Sequence, residues 1–158
     1  MFLLIGKLHF LEHLRMKFPV IPVASGIIIK DNKILIGLRS KKDQGGGLWE
    51  FPGGKIELEE SDKNAVIREL KEELGIDVTV KQKVMQYVHK HKNTLYDISF
   101  FEINSFDGEV KMNVHDDIKW VDSSSLKDYD FISGDLLFID KVIEDPSILN
   151  SLKNNQGL

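Results

Sequence analysis

Residues 54–76 read GKIELEESDKNAVIRELKEELGI, and they decide both the fold and the chemistry of this 158-residue chain. Ser61 is a favourable N-cap, and Gly75 suits the position that follows a helix. Between them apolar residues recur at i, i+4 and i+8, which gives a helix one apolar stripe to bury. The stretch therefore predicts a loop followed by a helix that packs on a core through one side.

Three glutamates of this helix, Glu69, Glu72 and Glu73, are spaced so that they lie on one helical face. Like charges at this spacing repel each other. A cation between them explains their convergence, and Mg²⁺ fits best because it prefers oxygen ligands and keeps positions for substrate phosphates. The alternative is a solvated face of salt bridges, in which Arg68 pairs with Glu72 at i+4.

The same stretch resembles the Nudix box, written G-x5-E-x7-R-E-U-x-E-E-x-G-U, in which U is aliphatic. With all of these positions in register, a plain salt-bridged face becomes a weak explanation. The resemblance implies the Nudix fold, a mixed β-sheet sandwiched between helices (α/β/α), over roughly residues 18–144. The fixed positions of the pattern are all present: Gly54, Glu60, Arg68, Glu69, Leu70, Glu72, Glu73, Gly75 and Ile76.

Strand and helix patterns alternate irregularly along the rest of the chain, which favours an α/β architecture with a mixed sheet between helical layers. Asp31-Asn32, Lys92-Asn93 and Asp107-Gly108 are turn signals, and Asp145-Pro146 ends the last helix. The patterns predict strands over 20–29, 33–39, 77–89 and 94–103, a short strand ending at 120–121, and a helix over 133–144.

The composition limits the partners of the chain. It has no cysteine, a net charge of -4 and a pI of about 5.7. Disulfides, thiolate zinc sites and cysteine nucleophiles are excluded, and a cytoplasmic location is the default expectation. Binders of nucleic-acid polymers are usually basic, so nucleotide monomers are the better candidates. No apolar run reaches the ~18–20 residues that span a membrane, and we expect a monomer or a homodimer.

One compact domain is expected for a chain of this length. Residues 1–15 begin apolar and then become charged, without the order of a signal peptide. We interpret them as an N-terminal extension outside the core, with a short amphipathic helix packed on the domain as the alternative. The single core domain is predicted to cover residues 16–146, and residues 147–158 are predicted to form a frayed C-terminal tail.

The Nudix resemblance implies a role for each position of the acidic cluster. Glu69, Glu72 and Glu73 match metal-binding carboxylates, with Mg²⁺ as the cofactor or Mn²⁺ in its place. Glu69 is either a general base or a metal ligand, and both roles stay open. The backbone carbonyl oxygen of Gly53 matches a further metal ligand. Arg68 is expected to orient a glutamate through charge-assisted hydrogen bonds and not to touch the substrate.

The segment LWEFPGGKIE, residues 48–57, narrows the resemblance to the MutT branch, whose members act on nucleoside triphosphates. Arg39 matches an arginine that contacts phosphate, and the alternative is a plain charge at a strand end. Phe51 matches the lining of the nucleotide pocket, although it could equally belong to the core. The residues that the resemblance assigns to substrate binding are Arg39, Gln44, Glu50, Phe51, Pro52, Lys55 and Asp135.

Asp135, in the stretch DFISGD at residues 130–135, lies where MutT-like chains read the edge of the base. An amide at this place offers a donor and an acceptor, whereas an ionised carboxylate only accepts. Asp135 therefore favours a base that presents N–H groups, such as cytosine, adenine or 8-oxoguanine. The alternative is a negative charge at the start of a helix, which the helix dipole favours.

One position departs from the MutT-like pattern. These chains often carry a further glutamate six residues before the tryptophan that Trp120 matches, and here Val114 stands in its place. Asp116 and Asp117 are the candidate substitutes. His115 is the weaker one, because Mg²⁺ prefers oxygen ligands.

The expected activity is Mg²⁺-dependent hydrolysis of a nucleoside triphosphate to the monophosphate and pyrophosphate, in the manner of an enzyme that clears damaged nucleotides such as 8-oxo-dGTP. The first alternative is a CTP or dCTP pyrophosphohydrolase of the same fold, which Asp135 favours. The alternative of another class is a nucleotide-sensing Nudix module without turnover, which Val114 favours and the intact box disfavours.

Overall fold

The computed structural model describes residues 2–155, with side chains over residues 7–152. Within this part of the chain no helix is long and apolar enough to cross a membrane. The elements in chain order are α1 (Phe2–Lys17), β1 (Val20–Ile27), β2 (Ile29–Lys30), β3 (Lys33–Leu38), β4 (Trp49–Glu50), β5 (Gly53–Lys55), α2 (Asp62–Leu74), β6 (Asp77–His91), β7 (Thr94–Asp107), β8 (Asp117–Val121) and α3 (Leu136–Glu144).

Two sheets of four strands each form the middle of the domain. In the first sheet the order is β5-β1-β7-β6, and β1 runs parallel to β7 whereas the other pairs are antiparallel. In the second sheet β3 pairs antiparallel with β2, β4 and β8. The prediction of a mixed sheet is therefore confirmed.

Helices cover this sheet layer on both faces. Side chains alternate along a strand, so successive residues point to opposite sides. Ala24 and Ile28 belong to the apolar cluster under α2, whereas Ile27 belongs to the cluster under α3. Leu35 and Ile36 of β3 divide between the two clusters in the same way. The result is the predicted α/β/α sandwich.

The elements that depend on local signals begin and end where the sequence predicts. Ser61 Oγ accepts a hydrogen bond from Asn64 N–H at 3.1 Å, and Gly75 has the left-handed conformation with φ of 72°. Asp31 and Asn32 also have positive φ angles, 49° and 63°, as expected for a tight turn between β2 and β3.

Other elements differ from the prediction in extent. The strand predicted over 20–29 is interrupted at Ile28 and becomes β1 and β2. The hairpin of β6 and β7 continues to His91 and Asp107, because its polar ends still pair with each other. The helix predicted over 133–144 starts with a 3-10 turn, Ser133–Asp135, before α3 begins.

The N-terminal residues form a helix with little cover. Leu8 and Phe10 of α1 are 63% and 64% exposed, and Arg15 lies 3.5 Å from Asp97 of β7. The helix continues through the predicted boundary at residue 15 to Lys17. The interpretation of residues 1–15 as an extension outside the core stays a prediction.

The C-terminal segment corrects the expected tail at residues 147–158. Leu149 is fully buried, Leu152 is 7% exposed, and both belong to the cluster under α3. Ser151 donates to the buried Glu102 from its N–H at 2.7 Å and from its hydroxyl at 2.6 Å. Packing therefore continues at least to Leu152, while residues 156–158 lie outside the described residues.

Candidate active site

Arg68 organises the acidic face of α2. Its Nε and Nη2 donate to the two oxygens of Glu60 at 2.9 Å each, and Nη1 donates to Glu69 at 2.7 Å and to Glu72 at 3.3 Å. Nη2 also donates to the carbonyl of Lys55 at 3.0 Å. The hydrogen bonds from Arg68 are the main reason why the pKa of Glu60 is lowered to about 2. The predicted contact of Arg68 with a glutamate is therefore present, and Glu60 ties the loop to the helix through Arg68.

Glu69 and Glu73 flank the glycine pair that precedes α2. Glu73 Oε2 accepts a hydrogen bond from Gly53 N–H at 3.1 Å. The Glu69 carboxylate lies so close to Gly54 that a Cβ there would overlap it, and a Cβ at Gly53 would overlap the carbonyl of Ala24. Glycine at position 54 lets the Glu69 carboxylate approach the backbone, and glycine at position 53 lets β5 approach β1 closely.

The surroundings of Glu73 disfavour the ionised form of its carboxyl group. Burial is the main cause that raises its pKa from 4.5 to about 8, and the charges of Glu50 and Glu69 add to it. The N–H of Gly53 and the charge of Arg39 oppose this shift without cancelling it. A cation near these carboxylates would favour the ionised form of Glu73 and so oppose this shift.

A cavity of about 610 Å³ opens beside the glycine pair. Gly53, Gly54 and Lys55 line it from the box, and residues 131–136 line it from the segment that leads into α3. The box and the segment predicted to read the base thus meet in one cavity, although they are far apart in sequence.

Arg39 and Glu50 form an ion pair in the wall of this cavity. Arg39 Nη1 donates to Glu50 Oε2 at 2.5 Å, and Nε and Nη2 donate to the carbonyl of Gln44 at 3.1 and 2.8 Å. Gln44 therefore contributes its backbone, which orients the guanidinium. Further N–H groups of Arg39 remain for a ligand, since a guanidinium carries five.

Asp135 is 2% exposed and belongs to the cavity wall. Within the described residues the one hydrogen bond of its side chain is the one that Oδ2 accepts from Phe51 N–H at 2.9 Å. Asp135 stands at the N-cap of α3, where the helix-start alternative places it, but its side chain makes no capping hydrogen bond. Burial is the main cause that raises its pKa from 3.8 to about 8. With this pKa a protonated Asp135 also donates a hydrogen bond near neutral pH, in addition to the accepting role that the sequence predicts.

The neighbouring predicted substrate residues divide between the core and the cavity. Phe51 belongs to the core and to the cavity wall, since it is 2% exposed, packs against core phenylalanines and also lines the cavity. Pro52 is buried, and its carbonyl accepts from Gly26 N–H at 2.8 Å. It is absent from the described lining of the cavity, so its place in the structure is a packing one. Lys55 and Gln44 line the cavity as predicted.

Sequence reasoning missed a polar group in the cavity wall. His89, His91 and Tyr96 from the β6–β7 hairpin line the cavity together with Ser133. His89 Nε2 lies 2.9 Å from Ser133 Oγ. The signal was the alternation of Tyr87, His89 and His91, which places these side chains on one face of a strand.

The loop around Val114 approaches the site through His115, the weaker of the candidates, and not through Asp116 or Asp117. Val114 is 48% exposed. Asp116 accepts from the N–H of Lys41 at 3.0 Å, and Asp117 accepts from the N–H that follows it. His115 is buried instead, with Nε2 3.1 Å from Glu50 Oε1.

Comparison with known proteins now defines the class of this fold and site. A model of the NUDIX domain matches residues 24–141, and the chain therefore belongs to the Nudix family. The prediction made from residues 54–76 is confirmed.

Individual relatives are similar over most of their length. The chain is 32% identical over 117 residues to a CTP pyrophosphohydrolase of Escherichia coli (strain K12), covering 74% of this chain and 87% of the relative. It is 39% identical over 89 residues to an 8-oxo-dGTP diphosphatase of Proteus vulgaris, covering 56% of this chain and 80% of the relative. The solution structure of the E. coli ORF135 protein superposes with a TM-score of 0.73 at 29% identity, covering 87% of this chain and 96% of that one.

Nudix hydrolases generally need a divalent metal ion, and the residues present fit one. The candidate donors are all oxygens, and after burial the negative charges of Glu50 and Glu69 are the next causes that raise the pKa of Glu73. Within the described residues, however, no three acidic or histidine side chains converge closely enough to hold an ion. Glu69 is held by Arg68, and the Glu72 side chain is 58% exposed. Binding an ion would therefore require these side chains to turn toward Glu73.

Proposed function

We propose that the chain hydrolyses a nucleoside triphosphate to the monophosphate and pyrophosphate with Mg²⁺, or with Mn²⁺ in its place. The observation that carries this proposal is the single cavity lined both by the glycine pair of the box and by the buried Asp135. A polyphosphate would lie along the box, and a base would reach Asp135. The cavity volume of about 610 Å³ is in the range of small-molecule sites.

The proposed roles follow from the contacts. Glu69, Glu72, Glu73 and the carbonyl of Gly53 would hold the metal, which when bound neutralises phosphate charge and makes water more acidic. Arg68 keeps the glutamates in order, and Glu69 would serve as a base or as a ligand.

The remaining charged groups of the wall would bind the substrate. Arg39 would bind phosphate through the N–H groups that Gln44 and Glu50 leave unused. Lys55 lies beside the glycine pair in the same wall and would add a second positive charge. Positioning and charge stabilisation of this kind supply most of the catalysis in phosphoryl transfer.

For the base we propose 8-oxo-dGTP, which makes the chain a sanitiser of the nucleotide pool. CTP or dCTP is the second candidate, and a carboxyl at Asp135 favours it together with the similarity to a CTP pyrophosphohydrolase. When ionised, Asp135 accepts an N–H from either base. When protonated, it donates to cytosine N3 or to the O6 of an oxidised guanine.

The remaining proposals concern the setting of this reaction. We expect a cytoplasmic monomer or homodimer that acts on free nucleotides and not on nucleic-acid polymers. We also propose that residues 16–146 carry the catalytic domain. A truncation that begins at Met16 and loses activity would show that α1 belongs to it.

A substrate screen tests the function. The purified protein with Mg²⁺ is offered canonical and oxidised nucleoside triphosphates, nucleotide sugars and dinucleoside polyphosphates, and pyrophosphate and phosphate are measured. We expect pyrophosphate from triphosphates, fastest with 8-oxo-dGTP or with CTP. Tight binding of one ligand without any product would instead establish the sensing module.

A further inference from the structure

Glu50 is held at both carboxylate oxygens. Oε2 accepts from Arg39, and Oε1 lies 3.1 Å from Nε2 of His115. The histidine nitrogen faces a carboxylate oxygen, so it carries the hydrogen and donates. Glu50 therefore cannot turn without losing one of two hydrogen bonds, one of them from a guanidinium.

The His115 ring occupies the place of a missing side chain on β3. Gly37 is the cross-strand partner of Glu50. A Cβ at Gly37 would lie 2.5 Å from Cδ2 and 2.7 Å from Nε2 of His115, and the three atoms nearest to it all belong to this ring. The glycine thus makes the space in which the ring reaches Glu50.

The buried position of the His115 ring carries an energetic cost, which is visible at its other nitrogen. Among the described residues, Nδ1 of His115 is the one buried side-chain nitrogen or oxygen without a hydrogen-bond partner. With Nε2 donating, a neutral ring leaves Nδ1 as a bare acceptor. Buried polar atoms are otherwise paired in folded proteins, so the contact with Glu50 must outweigh this loss.

We propose that His115 and Gly37 form a positioning pair that fixes Glu50, and through Glu50 holds Arg39 for binding of the triphosphate. This inference rests on the proposed function. His115 is not part of the described cavity lining, so it acts through Glu50 and does not touch the substrate.

A double-mutant cycle tests the pair. His115→Ala removes the donor to Glu50, and Gly37→Ala places a methyl group where the ring lies. Each single variant should weaken substrate binding about ten-fold, the size of one charge-assisted hydrogen bond, and change kcat much less. In the double variant the methyl group has no ring to meet, so the loss should equal that of His115→Ala alone.

Two further variants separate positioning from general damage. His115→Gln keeps a side-chain N–H that can reach Glu50 and should recover most of the binding. Gly26→Ala adds the same methyl group to β1, where it meets Leu70 Cδ1 at 2.7 Å and not His115. It should lower stability in urea while leaving KM near the wild-type value.

Binding is read by KM and, independently of turnover, by calorimetry with Mg²⁺ and α,β-methylene-CTP or α,β-methylene-8-oxo-dGTP. Unchanged affinity in His115→Ala overturns the inference, as does an equal loss from Gly37→Ala in both backgrounds. In either case the proposed function still stands. A wild-type protein that binds neither analogue overturns the proposed function, and this inference falls with it.

Discussion

Asp135 and Glu102 are two buried carboxylates of one domain with opposite surroundings. Glu102 has a fully buried side chain, and burial alone would raise its pKa. The hydroxyl and the N–H of Ser151, with Gln82 and Lys81, outweigh burial, and the pKa is lowered. Asp135 is 2% exposed with a single N–H donor from Phe51, and its pKa is raised to about 8.

This difference in hydrogen-bond donors distinguishes a carboxylate that stabilises the fold from one that belongs to the candidate active site. Glu102 has all the donors it needs within the protein and fastens the C-terminal segment to β7. Asp135 and Glu73 are held in the negative field of Glu50 with few donors, so an added cation or ligand has most to gain there. Carboxyl groups whose pKa is raised in this way indicate a binding site, because a bound cation or ligand supplies the partners that they lack.

Removing the charge of Glu73 should have the largest effect. In Glu73→Gln the amide oxygen can still accept from Gly53 N–H, but the charge that would hold a cation is lost. We expect kcat to fall by at least ~100-fold, the usual size of a lost charge-stabilising group.

Glu102→Gln is the matched control, since it makes the same change at a buried carboxylate outside the cavity. It should cost about 1–3 kcal/mol of unfolding free energy and leave kcat of the folded protein unchanged. Equal kcat in the wild type and in Glu73→Gln would refute the assignment of the metal site.

Changing the base reader should have an intermediate effect. Asp135→Asn keeps an oxygen that accepts from Phe51 N–H. The amide offers a donor and an acceptor at every pH, whereas Asp135 donates only when it is protonated. The ratio of kcat/KM for 8-oxo-dGTP and CTP should change about ten-fold, within the range for one hydrogen-bonded base contact. A uniform loss for all bases would show that Asp135 serves the fold and not the choice of base.

The same variant should change the pH dependence of stability. The pKa of Asp135 is raised from 3.8 to about 8, so between about pH 4 and pH 8 the folded protein keeps a proton that the unfolded chain has released. The free energy of unfolding should therefore fall as pH rises through this window. Urea unfolding without metal or nucleotide should show a smaller fall in Asp135→Asn.

Glu102 provides the opposite sign in that experiment. Because its folded pKa is lowered, its contribution is complete above the unfolded value and is lost as pH falls through the folded value. Glu102→Gln should therefore leave the slope between about pH 5 and pH 8 unchanged. A wild-type slope that persists in Asp135→Asn would assign the proton to another group.

The parts of the fold that the sequence predicts well depend on local signals. The cap at Ser61, the left-handed Gly75 and the turn at Asp31-Asn32 each need only a few neighbouring residues. The glutamates of the box on α2 were also predictable, because one helix carries them at fixed spacing.

Contacts between distant segments could not be predicted in the same way. The ring of His115 lies over Gly37, and neither segment contains a sequence pattern that predicts its contact with the other. The segment from residue 147 looked like a polar tail because its apolar residues are few. It packs because Glu102, 49 positions before Ser151, accepts from its backbone and hydroxyl.

Weakening this attachment should have the smallest effect. Ser151→Ala removes the hydroxyl that donates to Glu102 at 2.6 Å but keeps the backbone N–H at 2.7 Å, so the carboxylate loses one donor and stays partly satisfied. We expect the free energy of unfolding in urea to fall by about 1–2 kcal/mol, with KM and kcat unchanged. Ser147→Ala is the control, because its hydroxyl bonds to Asp145 in an exposed turn and should cost less. Equal stability of the two variants would mean that the Ser151 hydroxyl does not help to hold the C-terminal segment, and the contrast between Glu102 and Asp135 would lose its structural half.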